Sequence, residues 1–179
     1  MRAAMATKAQ TPAADQTAQT AAVARSYFEA VARRDLDAME AHYAPGGGGK
    51  IHGLVELRAG ENYRQWFGNL FRAFPDWRFE ILDLIAQGEK GAVRWRATGT
   101  FNGDVKFEGL EPNGAKVSVQ GCDVVTVRNG KLIDNQAYSS GTEIARQLGV
   151  LPAQGSAAER TMNAAFNLKT WLARALGRD

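Results

Sequence analysis

Pro75 divides this chain between two hydrophobic periods. Before it, Tyr63, Trp66, Phe67, Leu70, Phe71 and Phe74 recur at helical spacing and mark one apolar face. A proline has no amide donor, and its ring clashes with the preceding turn, so the helix must stop there. After it, Trp77, Phe79 and Ile81 alternate with Arg78 and Glu80, the two-residue period of a half-buried strand. Helices followed by a run of strands predict segregated α and β regions rather than alternating βα units.

The strands continue at regular intervals. Gly88-Glu89-Lys90-Gly91 turns the chain into Ala92–Thr100, where Val93, Trp95 and Ala97 share one parity. Asn102-Gly103-Asp104 and Pro112-Asn113-Gly114 are further turns. Val117–Arg128 is a long strand, joined through Asn129-Gly130 to Lys131–Ser139. That dipeptide suits the positive φ angles of a type I′ hairpin turn. Thr142–Leu148 reads as a short helix closed by Gly149.

Upstream, Val23, Tyr27, Val31, Leu36, Met39 and Tyr43 recur helically, with a slip at Asp35. The slip predicts two consecutive helices, the second capped by Asp35. Pro45 and Gly46–Gly49 read as a flexible connection into a first strand at Lys50–Leu57. The four glycines before Lys50 do not make a phosphate loop, since no Ser or Thr follows the lysine. Near the end, Ser156 and Glu159 form a capping box. The stripe Ala164, Leu168, Trp171 and Ala175 then gives an amphipathic helix suited to packing on the domain or on a second subunit. It could also lie on a membrane surface. The chain divides into a disordered tail over 1–19, a domain over 20–152 and an amphipathic helix over 153–179. The fold class is α+β: a curved antiparallel sheet wrapped round N-terminal helices as a cone or α+β barrel, with an extra C-terminal helix. The open end of a cone is a natural small-molecule pocket.

With 179 residues the chain suffices for one sizeable core. The net charge of +3 comes from basic residues scattered among acids, which argues against nucleic acid as a partner. No apolar run is long enough to span a bilayer, so no membrane role is expected. Cys122 is the one cysteine and reads as a small buried hydrophobe; a reducing cytoplasm is the expected compartment. No Cys/His cluster suggests a metal and no glycine fingerprint suggests a nucleotide, so no cofactor is expected.

The ordered set Tyr27-Phe28, Arg34-Asp35-Leu36, Phe74-Pro75-Asp76, Arg96–Thr100, Gly109–Gly114, Val127–Ile133 and Gln147-Leu148-Gly149 resembles the SnoaL-like polyketide cyclases. These belong to the nuclear transport factor 2-like superfamily. The resemblance covers about two-thirds of the chain. It implies a cofactor-free, metal-free aldol cyclase and a homodimer. It also implies an acid/base Asp seven residues before the Gln of Gln-Leu-Gly, where this chain has Ser140. A His is implied fourteen residues earlier, where this chain has Thr126, and the family's Gly-Thr-His here reads Gly99-Thr100-Phe101.

An aldol or isomerase step needs a base and a donor to the enolate oxygen. If position 140 faces the cone, Tyr138 and Gln136 share its face and Tyr138 is the donor. Asp123 then points the other way, barring a bulge, yet it is the surviving carboxylate among valines and the candidate base. Its alternative role is to pair Arg94 or Arg96. His52, Trp66, Phe67, Trp95, Thr126, Gln136 and Ser140 are the candidate ligand contacts. The expected function is binding of a small hydrophobic or cyclic molecule, with cyclase or isomerase chemistry. The alternative is a non-catalytic binding or dimerisation module.

Overall fold

The computed structural model describes residues 13–177; of the tail expected to be disordered over 1–19, the first twelve residues lie outside them. Among the described residues the order is α1 (Ala13–Arg33), α2 (Leu36–Ala41), β1 (Tyr43–Ile51), β2 (Val55–Arg58), α3 (Tyr63–Ala73), β3 (Arg78–Gln87), β4 (Lys90–Phe101), β5 (Ala115–Arg128), β6 (Lys131–Ser139), α4 (Gly141–Gln147) and α5 (Ala157–Ala175). The strands form a six-stranded sheet in the order β2-β1-β6-β5-β4-β3. Its two edge strands do not meet, so the sheet is open. The α+β class expected from the period switch is the one observed.

Three expectations are corrected. The helix α1 begins at Ala13, so part of the expected tail is structured. Thr17 Oγ1 accepts from the amide of Gly88 at 2.9 Å, and the Thr20 hydroxyl donates to its carbonyl at 2.7 Å. These bonds tie the helix to the β3–β4 turn, which sequence periodicity could not reveal. The glycine run is a strand, not a connection. A Cβ at Gly48 would run into the carbonyl of Leu57, and one at Gly49 into that of Asn135. The glycines let β1 lie tightly between its neighbours. The sheet is mixed, because β1 pairs antiparallel with β2 but parallel with β6.

Local signals behaved as their chemistry requires. Asp35 caps α2 by accepting from the Ala38 amide at 3.0 Å. Asn129 and Gly130 have φ angles of 50° and 72°, the type I′ pattern, and β6 runs from Lys131 to Ser139.

The described residues group into two compact units: 13–68, Phe79–Arg96 and Gln120–Ser139, and Asn69–Arg78, Ala97–Val119 and 140–177. The first has a core of Tyr27, Phe28, Met39, Tyr63, Val125 and Leu132. In the second, Phe74 stacks on Phe101 with ring centroids 5.0 Å apart and meets Phe107 edge-on. There Ser156 caps α5 by accepting from the Glu159 amide at 3.1 Å, while Glu159 accepts from the Gly155 amide and from Arg146.

Candidate functional site

The site is built on the inner face of the first unit's sheet. Along β5, Val119, Asp123, Val125 and Val127 are buried, while Ser118, Gln120, Val124 and Arg128 are exposed. Valines on the odd positions carry Asp123 inside with them. A register shift between Thr126 and Val127 then buries both of those residues. The face expected to be inner is therefore the outer one. The residues were grouped as expected, Tyr138 with Cys122 and Asp123 opposite, but the apolar parity decides which group is buried.

Asp123 is 5% exposed, with one hydrogen bond to each carboxyl oxygen. Its Oδ1 accepts from Trp95 Nε1 at 2.7 Å, and its Oδ2 accepts from Asn135 Nδ2 at 2.8 Å. It pairs with neither Arg94 nor Arg96. Burial disfavours the charged carboxylate and carries its pKa from 3.8 to about 6, against the two hydrogen bonds, which favour ionisation. Three linked phenols lie within reach of its charge. Tyr43 donates to Tyr27 at 3.3 Å, and the hydroxyls of Tyr27 and Tyr63 are 2.8 Å apart. All three are buried, chiefly for that reason each is held well above its ordinary ionisation range, and the charge of Asp123 adds to the shift. Asn135 acts on the Tyr43 hydroxyl as well as on Asp123. Its own Oδ1 is buried without a partner, an acceptor left open beside the carboxylate.

Chemically the cluster offers a carboxyl group able to take or give a proton near neutrality, neutral phenol donors, and one free acceptor. Sequence reasoning missed Tyr27, Tyr43, Tyr63 and Asn135. The signal was present in part, since a buried tyrosine needs a partner for its hydroxyl.

The other candidates divide among several places. Trp95 is in the cluster and packs against Phe79, with ring centroids 5.3 Å apart. On α3, Phe67 lies against Tyr63 and Trp66 against Phe67, both half-buried. Tyr138 is 47% exposed on the outer face, stacked on His52 at 4.2 Å. His52 shares a hydrogen bond with Gln136 Oε1 at 2.8 Å, and Gln136 donates to Asp134 at 2.7 Å. These three residues are together, on the face away from Asp123. Thr126 accepts from Lys90 Nζ at 2.5 Å. Ser140 is the N-cap of α4, accepting from the Glu143 amide at 3.2 Å. An open groove of about 180 Å³ is lined by Gly46, Lys50, Glu56, Arg58, Asp134 and the candidate Gln136 among others, with none of the expected aromatics. Among the described residues no group of three or more His, Cys, Asp or Glu side chains could hold a metal, and no helix is long and apolar enough to cross a membrane.

Solved structures share this fold. AclR of Streptomyces galilaeus, described as a hydroxylase, is 22% identical with a TM-score of 0.66, over 89% of this chain and 97% of its own. A protein of Jannaschia sp. CCS1, described as a SnoaL-like polyketide cyclase, is 19% identical with a TM-score of 0.68, over 82% and 100%. One from Kribbella flavida, described as a ketosteroid isomerase, is 18% identical with a TM-score of 0.52, over 69% and 79%. No curated protein matches the chain significantly. The fold is that of the nuclear transport factor 2-like superfamily. Residues 24–135, more than half of the chain, match the SnoaL-like domain profile, and the chain belongs to that family.

Proposed function

We propose that this protein binds a small hydrophobic carbonyl compound and moves a proton on it without a cofactor, as an isomerase or cyclase, with Asp123 as acid and base. One observation carries the reading: a buried carboxyl with a pKa near 6, held by Trp95 and Asn135, its charge within reach of three linked phenols. A general acid/base works best when its pKa lies near the working pH, and a positioned one contributes about 10²–10⁴ in rate. The carboxylate removes a proton next to the carbonyl, and a phenol of the tyrosine chain supports the enolate oxygen in the role first assigned to Tyr138. Polyketide cyclisation and ketosteroid isomerisation, the activities in the descriptions of similar folds, both need this pair of roles.

A second reading is a binding module without turnover. It is supported by the structural use of Ser140, which caps a helix, and of Thr126, which holds a lysine. Both stand where the family resemblance places acid/base residues. Exchange of α-protons in D₂O, followed by NMR with a β-diketone and a steroid enone as probes, separates the two. Catalysed exchange that falls about 10²–10⁴-fold in Asp123→Asn supports the first reading. Equal exchange in both proteins removes Asp123 from the chemistry. A probe that raises the melting temperature without exchange identifies the module.

A further inference from the structure

Strand β1 has no side chain at Gly46 or Gly48, and on the outer face of the sheet this leaves a trough. The strand register fixes its walls. Gly48 lies between Arg58 of β2 and Asp134 of β6, and Lys50 lies between Glu56 and Gln136. The flanking strands are separated by two strand spacings, or ~9.5 Å. All five polar residues line the groove of about 180 Å³. Pockets for drug-sized ligands run to ~300–1,000 Å³, so an occupant of this one is small.

The charges of the lining are only partly matched. Arg58 and Glu56 neutralise each other at 2.8 Å. Among the described residues Lys50 and Asp134 have no ion-pair partner, although they occupy diagonal positions on neighbouring strands. Asp134 Oδ1 accepts from Gln136 Nε2 at 2.7 Å, and Gln136 Oε1 accepts from His52 Nε2 at 2.8 Å. The His52 ring is in turn stacked on Tyr138. This row holds the carboxylate in place and leaves its Oδ2 for another donor. A group already held gives up little freedom when a ligand arrives.

The arrangement selects the charge of the ligand. A simple anion at Lys50 would also meet Glu56 and Asp134. A simple cation at Asp134 would also meet Lys50 and Arg58. A small molecule carrying both charges satisfies both open ends at once. We propose that this groove is a binding site, separate from the Asp123 cluster, for a free α-amino acid, with its carboxylate on Lys50 and its ammonium on Asp134. The Arg58–Glu56 pair offers donors and acceptors to the rest of the ligand. The site uses none of the residues of the proposed proton transfer, so it stands whether or not Asp123 is a base.

Proton–nitrogen correlation NMR on the full chain tests this. Glycine amides resonate apart from the others, so Gly46, Gly48 and Gly49 report on the groove directly. The common L-amino acids are the probes, each titrated to about 10 mM, a weak but measurable affinity range. At least one should shift these amides saturably. Lys50→Met and Asp134→Asn should each weaken its binding about tenfold or more, the effect of losing one charge-assisted hydrogen bond. The N-acetyl derivative of the same amino acid lacks the ammonium, and its primary amide lacks the carboxylate; each should bind as weakly. The variant spectra show whether the fold is kept, and Lys50 is exposed, so at least that variant is readable. If no amino acid shifts the glycine amides, or if binding survives both substitutions, the proposal is overturned. A derivative that binds as well as its parent reduces the site to contact with a single ion and overturns it equally.

Discussion

Gly121 lies under the indole of Trp95, where any side chain would collide with the ring. It sits two residues before Asp123 on the same face of β5, so this absence of a side chain brings Trp95 Nε1 to within 2.7 Å of the carboxyl. Gly121→Ala should lift the indole away and remove a donor that favours the carboxylate. The ionisation of Asp123 should then rise above about 6, as it should in Trp95→Phe. Carboxyl-carbon NMR across a pH series reads the shift directly, and an unmoved midpoint would show that the contact does not tune the acid.

Asp123 should also shape stability. Its folded pKa of about 6 exceeds the ordinary 3.8, so the native protein holds this proton more tightly than the unfolded chain does. Its contribution is most favourable below pH 4 and falls as pH rises towards 6, by roughly 3 kcal/mol in all. Urea denaturation of native protein and Asp123→Asn, compared at pH 4 and pH 7.5, should show the variant gaining relative stability at the higher pH. A pH-independent difference would contradict the buried proton.

Asp76 accepts from both the amide and the hydroxyl of Thr100, at 2.6 and 2.8 Å. These bonds hold its ionisation below the ordinary carboxylate range, the Thr100 amide contributing most. Its contribution is therefore present above the unfolded pKa and lost as pH falls through the folded one. Asp76→Ala should destabilise by about 1 kcal/mol at neutral pH. The loss should shrink in acid, as denaturant melts would show.

The glycines of β1 give a sharper contrast. Gly48→Ala and Gly49→Ala should each destabilise by about 2 kcal/mol or more, because a Cβ meets a neighbouring strand's carbonyl. Gly141→Ala meets nothing within 4 Å and should be near neutral. Equal tolerance at all three positions would return 46–49 to the status of a loose connection.

What was legible from sequence was local. Pro75 ends α3, Asp35 caps α2, and Asn129-Gly130 sets the β5–β6 hairpin, because each decision is made within a few residues of chain. The glycine strand escaped because the reason for its glycines lies in Leu57 and Asn135, contacts supplied by other strands. The inner face of β5 was readable from Val117, Val119, Val125 and Val127, whose parity outweighs the position of Ser140 in the family pattern. The phenol chain needed three elements, bearing Tyr27, Tyr43 and Tyr63, to converge, and no spacing along one element encodes that.

The parallel pairing of β1 with β6 also has a consequence during synthesis. Residues 43–51 leave the ribosome about 80 residues before the strand they must join, which at ~5–20 residues per second is a delay of several seconds. Throughout that interval β1 can rest only on β2, as an isolated hairpin with one side unzipped. The nascent chain is thus most vulnerable to mispairing in its early half, and the last hairpin to emerge is the one that closes the exposure.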